Sequence, residues 1–349
     1  MKKNSIKIKN KILQNFGRPF VVAEVGVNHN GELKKAMKMI NVAKEAGCDA
    51  VKFQTFKANE IVKEKKLKYK YISQGKVVNE SMNKMFKRYE LSKESWVKII
   101  NYCKKKNIIF FSTPQNLSDL HFLNKFNVPA IKVGSDDFVN IGLINSYLEF
   151  NKPLILSTGM STVLDFKKVL SLKRLSKRKI IFLLCTSEYP TEHENVNIKK
   201  IFFIKKMIKN HLIGFSDHTK DNVASIMAVS QGCCFFEKHF TLNNKLPGPD
   251  HSFSCNPEQL KSWVKSIRNA FKCMGSNTLE PTTQERKNKK SFQRKIFANN
   301  FIPKGKVIDK SDYILLRTSL KRAISSSNIN KIIGKRANRN IKKGEAIYF

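Results

Sequence analysis

Short apolar runs that end in polar residues recur along most of the chain, and they constrain its fold more than any other feature. Eight such runs begin at Phe20, Ala50, Ile108, Ala130, Pro153, Ile180, Ile213 and Phe235. Continuous apolar runs of this length, rich in Val, Ile and Phe, are typical of parallel strands covered on both faces. Amphipathic segments such as KKAMKMINVAKEAG separate them. Eight alternating strand–helix units predict an α/β fold, a closed (β/α)8 TIM barrel.

The 349 residues leave room for a second, smaller domain. We assign residues 1–275 to the barrel, with an inserted loop at about 58–89, and residues 276–290 to a polar linker. The remaining segment, 291–349, contains a weak repeat, since ANNFIPKGKVI from Ala298 is echoed by ANRNIKKGEAI from Ala337. Two hairpin-like copies predict a small β-rich module.

The chain is strongly basic, with 66 Lys and Arg against 27 Asp and Glu and a net charge of +39. Nucleic-acid binding is the first hypothesis for such a charge. Only 11 of the basic residues are Arg, and the Lys are spread evenly among many Asn and Ile. This pattern favours an AT-rich coding bias over a nucleic-acid site, and it leaves an anionic substrate or surface as the alternative.

Composition also excludes several other classes of protein. A hydrophobic fraction of 41% excludes intrinsic disorder, and no apolar run reaches the length of a membrane span. The basic N-terminus lacks the apolar stretch of a signal peptide. The seven Cys are odd in number and contain no C-x-x-C, so a reducing, cytoplasmic location is expected.

Reactive side chains cluster at the predicted carboxyl ends of the strands, where TIM barrels place their active sites. They are Glu24, Asn28, His29, Asn30, Gly31, Lys52, Gln54, Lys132, Ser135, Ser157, Thr158, Thr186, Ser187, Tyr189, Ser216, Asp217, His218, Glu237, Lys238 and His239. Charged residues within apolar strands are costly unless they are paired or functional. Any single one is compatible with a core ion pair, but the whole set indicates an active site.

Two smaller groups suggest specific chemistry. His218 and His239 end adjacent strands, so both imidazoles can reach one ion, for which Mn²⁺, Co²⁺ or Mg²⁺ is more suitable than structural zinc. The alternative is that one His only packs. Lys52 and Lys132, with nearby hydroxyls, form a candidate phosphate or carboxylate site, and no nucleotide-binding glycine motif is present. The PGPDH turn would hold Asp250 over the barrel mouth, unless it is an ordinary two-proline turn.

Taken in order, AEVGVNHNG, VKFQTF, KVGSDD, LSTGMS, LLCTSEYPT, GFSDHT, EKHFTL and PGPDH resemble the sialic acid synthase family. That family includes N-acetylneuraminate synthase and its legionaminic and pseudaminic relatives. The resemblance covers roughly residues 20–275, and the tail is similar to the family's antifreeze-like SAF domain. The ordered set of motifs is far more specific than any single one.

The resemblance implies that phosphoenolpyruvate condenses with an N-acylated mannosamine-type sugar and releases phosphate. It implies Mn²⁺, with Mg²⁺ or Co²⁺ as alternatives, on His218 and His239, and a catalytic Glu24. Lys52, Lys132 and Arg317 are also predicted to be catalytic, and the two lysines are implied to hold phosphoenolpyruvate as well. The other residues predicted to bind substrate are Gln54, Asn79, Ser135, Asp137, Ser157, Ser187, Tyr189, Ser216 and Asp250.

The resemblance also implies a homodimer in which the SAF domain caps the partner's barrel with an arginine, without nucleic acid or membrane as partner. Arg317 is the best match to that arginine. Since the family's Arg-Pro-Gly stretch reads Arg-Thr-Ser here, Arg322 is the alternative.

Two alternatives stay open for the function itself. The acceptor is N-acetylmannosamine or a close relative, or else a 2,4-diacetamido-2,4,6-trideoxyhexose that gives a legionaminic- or pseudaminic-type acid. A different class is a non-enzymatic polyanion-binding protein, whose binding would weaken steeply with salt, whereas catalysis would depend on the metal.

Overall fold

The computed structural model describes residues 4–348, which form two compact units that divide between Gly275 and Ser276. The strands of the first unit are β1 (Ile6–Ile8), β2 (Lys11–Leu13), β3 (Phe20–Gly26), β4 (Ala50–Thr55), β5 (Lys68–Ser73), β6 (Lys76–Ser81), β7 (Ile109–Pro114), β8 (Ile131–Val133), β9 (Leu154–Ser157), β10 (Ile180–Cys185), β11 (Leu212–Asp217) and β12 (Phe235–His239). Strands β3, β4 and β7–β12 close into one parallel barrel. The TIM-barrel prediction is confirmed, and every predicted run begins within one residue of a barrel strand.

The helices of the first unit are α1 (Leu33–Glu45), α2 (Ala58–Ile61), α3 (Met82–Tyr89), α4 (Lys93–Lys105), α5 (Leu117–Asn124), α6 (Ile141–Tyr147), α7 (Val163–Leu170), α8 (His193–Val196), α9 (Lys200–Ile208), α10 (Val223–Ser230) and α11 (Pro257–Met274). Of these, α2 and α3 belong to the insertion at 58–89. In α1, Ala36, Met39, Ile40 and Ala43 are buried, a helical spacing that places them on one face. Because β10 and β11 are buried along their whole length, their apolar runs need no alternation.

The barrel interior is filled at its amino-terminal end. Phe20, Phe111 and Phe235 pack there with aliphatic side chains from the other strands. The β1–β2 hairpin adds the buried Ile8 and Leu13 to the same cluster. The polar strand ends are thereby confined to the opposite, carboxyl end of the barrel.

The predicted insertion at about 58–89 is structured rather than a simple loop. Its β5–β6 hairpin turns at Gln74 and Gly75, both with positive φ, which is the turn that matches the twist of paired strands. Ser73 Oγ accepts a hydrogen bond of 3.0 Å from the Gly248 amide, and Gln74 donates to the Lys245 carbonyl. The hairpin is thus tied to the loop that follows β12.

The second unit contains α12 (Thr283–Phe292), β13 (Arg294–Ala298) and β14 (Tyr313–Arg317). The segment 276–290, expected to be a linker, includes most of α12, which Thr282 caps through a hydrogen bond from the Glu285 amide. The two repeat copies exchange equivalent backbone bonds, since Ile302 and Ile341 donate to each other at 2.9 Å. Gly305 likewise donates to Ala337, and Gly344 to Ala298. The repeat is therefore a pseudo-two-fold β module around a core of isoleucines.

Candidate active site

Two lysines and two glutamates alternate across the carboxyl end of the barrel. Lys52 Nζ lies 3.2 Å from Glu24 Oε2 and 3.4 Å from Glu237 Oε2. Lys132 Nζ lies 3.9 Å from Glu237 Oε1. All four side chains are buried. Strand β3 pairs with both β4 and β12, and the register places Glu24 opposite Lys52 on one side and opposite His239 on the other, while Glu237 lies opposite Val22.

The two glutamates have opposite ionisation properties. Burial raises the pKa of Glu24 to about 7, although Lys52 partly offsets that effect. Burial also opposes the charge of Glu237, but Lys132 and Lys52 outweigh it and keep its pKa below the ordinary value. Two carboxyls with separated pKa values can take different roles, so Glu24 is suited to proton transfer and Glu237 to a fixed negative charge.

The pKa values of the two lysines are also shifted in opposite directions. Burial works against the charge of Lys52, but Glu237 and Glu24 raise its pKa above the ordinary value. Burial lowers the pKa of Lys132, whose Nζ donates to Ser157 Oγ at 2.7 Å. A bound anion would therefore stabilise the charged form of Lys132.

Hydroxyl groups beside Lys132 line a small cradle. The Gly159 amide donates to Ser135 Oγ at 3.1 Å, and Ser187 Oγ is buried without a hydrogen-bond partner among the described residues. A Cβ at Gly159 would lie 2.3 Å from Ser187 Oγ and 2.6 Å from Ser135 Oγ. Hydroxyls that converge around a glycine, next to a buried lysine, are chemically suited to bind an anionic oxygen group.

The two predicted metal-ligating histidines lie together on the adjacent strand ends. The rings of His218 and His239 have centroids 5.6 Å apart. His218 Nδ1 is 2.7 Å from the Thr186 carbonyl oxygen, which can only accept, so the lone pair is on Nε2. Burial lowers the pKa of His218 to about 4 and that of His239 well below its ordinary value. Both imidazoles are therefore neutral, the form that binds metals.

These residues fit a divalent metal ion with open coordination positions. Within residues 4–348, no group of three or more His, Cys, Asp or Glu side chains is arranged to hold a metal. The two histidines would therefore supply the nitrogen ligands, and oxygen atoms of water or substrate would complete the shell. His239 Nδ1 has no hydrogen-bond partner among the described residues and lies 3.7 Å from Asp250 Oδ2.

An aromatic wall stands beside the histidines. The Tyr189 ring lies 4.3 Å from the His218 ring and 5.0 Å from the Phe253 ring, centroid to centroid. Phe253 also contacts His239, at 5.5 Å. Tyr189 is 46% exposed, so this wall faces the open mouth of the barrel. Such a wall can pack against the apolar face of a sugar.

The NHNG and PGPDH motifs hold each other in place. Asn30 Nδ2 donates to the Pro247 carbonyl at 3.0 Å, and its Oδ1 is 2.9 Å from His251 Nε2. His251 Nδ1 accepts a 2.6 Å bond from Thr241. These contacts fix the turn that carries Asp250, whose pKa burial raises to about 7. His251 is thus a structural residue next to the site.

The structure brings most of the predicted site residues together. Gln54 donates to Glu24 Oε1 at 3.3 Å, and Ser216 donates to Glu237 Oε1 at 3.3 Å. By contrast, Asn79 lies exposed on β6 and makes no side-chain hydrogen bond among the described residues. Asp137 is half-buried in the turn after β8, where it accepts from Asn140.

The two candidate capping arginines belong to the second unit. Arg317 ends β14, exposed to solvent, with its guanidinium 5.6 Å from the centre of the Phe292 ring. Arg322 lies over the Tyr348 ring at 5.4 Å.

Glu237 was predicted among the reactive strand residues but without a specific role, and the structure shows that it bridges both lysines. Thr113 and Phe253 were absent from the predicted set. Thr113, at the end of β7, accepts a 3.2 Å bond from Lys52. Phe253 lies two residues after PGPDH, and no sequence pattern distinguishes it from a core residue.

Fold and site together define a TIM-barrel enzyme with an anion cradle and a histidine pair at one mouth. Residues 39–278 match the model of the NeuB family, and residues 294–349 match that of the SAF domain. The chain belongs to the NeuB family. It is an enzyme, a condensing transferase of the sialic-acid-synthase type, and members of this family use phosphoenolpyruvate and amino sugars and are generally metal-dependent.

Relatives resemble the chain over nearly its whole length. An N,N'-diacetyllegionaminic acid synthase from Campylobacter jejuni is 35% identical, covering 95% of this chain and 99% of its own. One of the same name from Legionella pneumophila is 34% identical, covering 94% and 93%. The crystal structure of an N-acetylneuraminic acid synthetase from Leptospira borgpetersenii, in complex with citrate, has a TM-score of 0.73 and 29% identity. It covers 82% of this chain and 95% of that one.

Proposed function

We propose that the protein makes a nonulosonic acid by condensing phosphoenolpyruvate with an N-acylated mannosamine-type aldose and water, releasing inorganic phosphate. The observation that carries the proposal is the buried Lys52–Glu24–Glu237–Lys132 array beside a neutral histidine pair. There, groups suited to bind an anion lie next to a histidine pair suited to bind a metal ion. A reaction between an anionic enol and an aldehyde requires both reactants to be held side by side in this way.

The lysine side of the site is suited to phosphoenolpyruvate. Lys52 and Lys132 would bind its carboxylate and phosphate charges, with Ser135, Ser157 and Ser187 as hydroxyl donors. Glu237 holds both lysines in place, within 3.4 Å of Lys52 and 3.9 Å of Lys132. The cradle thus orients the methylene carbon toward the histidine side.

The histidine side is suited to the aldehyde of the open-chain sugar. A divalent ion on His218 and His239 would act as a Lewis acid toward the aldehyde oxygen, and Mn²⁺ is the ion we propose. The methylene carbon forms the new carbon–carbon bond, which leaves positive charge at the enol carbon. Water adds there, and the resulting tetrahedral carbon expels phosphate by cleavage of its C–O bond.

Glu24 is the proposed group for proton transfer during these steps. Its Oε2 is buried and lies 3.2 Å from Lys52 Nζ, and its pKa of about 7 is close to neutral pH. A carboxyl with this pKa can both accept and return a proton. It would take the proton from the attacking water or pass one to the new sugar hydroxyl.

Two observations bear on the acceptor sugar. The Tyr189–Phe253 wall gives apolar contact beside the histidines, which suits a 6-deoxy methyl or acetamido methyl group. The relatives at 35% and 34% identity are named legionaminic acid synthases. We therefore propose two candidate acceptors, N-acetylmannosamine and a 2,4-diacetamido-2,4,6-trideoxymannose-type sugar. Asp250 and Tyr189 would contact either one.

We further propose a homodimer in which Arg317, or else Arg322, of one subunit completes the barrel mouth of the other. A basic side chain there would balance the anionic product. We also propose a cytoplasmic location, because the substrate phosphoenolpyruvate is a metabolite of the cell interior. No helix in the described range 4–348 meets the length and apolarity that a membrane span requires.

Phosphate release from phosphoenolpyruvate tests the proposal, measured with Mn²⁺ and each of the two acceptor sugars. Release that requires both metal and sugar supports it, and the ratio of kcat/KM values assigns the sugar. If a folded protein that binds Mn²⁺ releases no phosphate with either sugar, both sugars are rejected as acceptors. His218→Ala or His239→Ala should abolish the metal-dependent rate, and an unchanged rate would remove the histidine pair from the mechanism.

A further inference from the structure

A second buried ion pair lies directly behind the two histidines. Asp217 is the last residue of β11, directly before His218, and Lys238 directly precedes His239 on β12. Because successive side chains of a strand alternate between its faces, Asp217 and Lys238 lie on the opposite face from the neighbouring Ser216 and Glu237. Their charged atoms are 3.2 Å apart, and both residues are almost fully buried. Neither side chain contacts the anion cradle, and neither has a role in the proposed reaction.

Asp217 uses both of its carboxylate oxygens. Oδ1 accepts from the Thr219 amide at 2.9 Å and from the Thr219 hydroxyl at 2.8 Å. Oδ2 accepts from Ser225 Oγ at 2.5 Å and from Trp263 Nε1 at 3.3 Å. A carboxylate with four donors besides Lys238 cannot rotate, so the strand end that carries His218 is fixed to α10 and α11.

Lys238 joins the two histidine-bearing strands. Its Nζ donates to the Thr219 carbonyl at 2.5 Å and to the Asp221 carbonyl at 3.3 Å, both in the segment that follows His218. One side chain from β12 therefore contacts the chain on both sides of His218, at the Asp217 carboxylate before it and at the Thr219 carbonyl after it. The pair sets where one histidine backbone lies relative to the other.

We infer that Lys238 and Asp217 are positioning residues that fix the separation of His218 and His239 and thereby set the affinity for the metal ion. The inference rests on the proposed function, since it assumes that the histidines bind a metal. Groups that orient metal ligands from behind typically change metal affinity 10- to 100-fold when removed. The alternative is that the two residues form a core ion pair that contributes only to stability. In that case their replacement would leave the affinity for the metal ion unchanged.

The test is the Mn²⁺ dissociation constant of the whole protein without substrates, measured from the electron paramagnetic resonance signal of free Mn²⁺. Lys238→Met keeps the length of the side chain, and Asp217 retains its four other donors, so the fold should survive. We expect Mn²⁺ binding to weaken about 10- to 100-fold. Thr219→Val removes one donor from Asp217 and should weaken binding less, in the same direction. Lys205→Met is the matched control, because Lys205 also donates to a backbone carbonyl, that of Gln231 at 3.1 Å, but contacts neither histidine.

The possible results separate this inference from the proposed function. Wild-type protein that binds no Mn²⁺ overturns the metal site and the positioning role with it. Wild-type binding with an unchanged constant in Lys238→Met overturns the positioning role alone. Equal weakening in Lys205→Met also overturns it, since the effect would then be general. Should Lys238→Met fail to fold, Thr219→Val decides, and wild-type affinity in that variant rejects the inference.

Discussion

Gly159→Ala should damage phosphoenolpyruvate binding while leaving the fold intact. The added Cβ would lie 2.3 Å from Ser187 Oγ and 2.6 Å from Ser135 Oγ, so both hydroxyls must move away. A hydrogen bond to a charged group contributes about 1.5 kcal/mol, and loss of two such bonds costs about 3 kcal/mol. Since 1.4 kcal/mol corresponds to tenfold, the KM for phosphoenolpyruvate should rise ~100-fold.

The assay is steady-state phosphate release at saturating acceptor sugar, with thermal melting by circular dichroism as the check on folding. Gly142→Ala is the control, because a Cβ at Gly142 approaches other atoms only to 4.0 Å, at Asn140 Oδ1. It should leave the KM unchanged. A folded Gly159→Ala enzyme with wild-type KM would refute the assignment of this cradle to the anion, and so would an equal rise in the control.

Glu24→Gln should keep the KM for phosphoenolpyruvate but lower kcat by about 10²-fold or more, as expected for a lost proton-transfer group; unchanged kcat in steady-state assays would exclude that role. Burial lowers the pKa of His29 to about 3. Below about pH 6.5 this histidine is therefore protonated in the unfolded chain but stays neutral in the folded protein. Stability should therefore decline on acidification, by up to ~1.4 kcal/mol per pH unit for this group. His29→Asn should flatten the dependence of the melting temperature on pH between neutral and about pH 5, and an equally steep dependence would contradict this. Ser73→Ala leaves the buried Gly248 amide unpaired, at a cost of about 1–3 kcal/mol. Limited proteolysis should then cut the hairpin at Gln74 faster than in wild type, and equal rates would show that the tie is unimportant.

The barrel could be predicted from sequence because its strands are buried on both faces. Runs such as IIFLLC leave no position for solvent, so a parallel sheet covered by helices is the structure that accommodates them. The order of the runs then fixes which strand ends meet. Glu24, Lys52 and the histidines were predicted in this way, since each lies within an apolar run or directly after one.

Contacts made by loops could not be predicted in the same way. The ties between Asn30 and His251, and between Ser73 and Gly248, join segments far apart in sequence whose geometry follows no periodicity. The insertion shows the same limit, because its alternating pattern is short and partly exposed on both faces. Phe253 joins the site only because the PGPDH turn folds it back onto Tyr189.

The C-terminal module behaves as a dimer that has been joined into one chain. Each copy presents backbone donors and acceptors that only the other copy satisfies, as the reciprocal bonds of Ile302 and Ile341 show. A peptide with one copy alone would expose these groups and half of an isoleucine core. Two separate fragments, divided between the copies, should therefore reassemble by complementation. Damage to either copy should unfold both together.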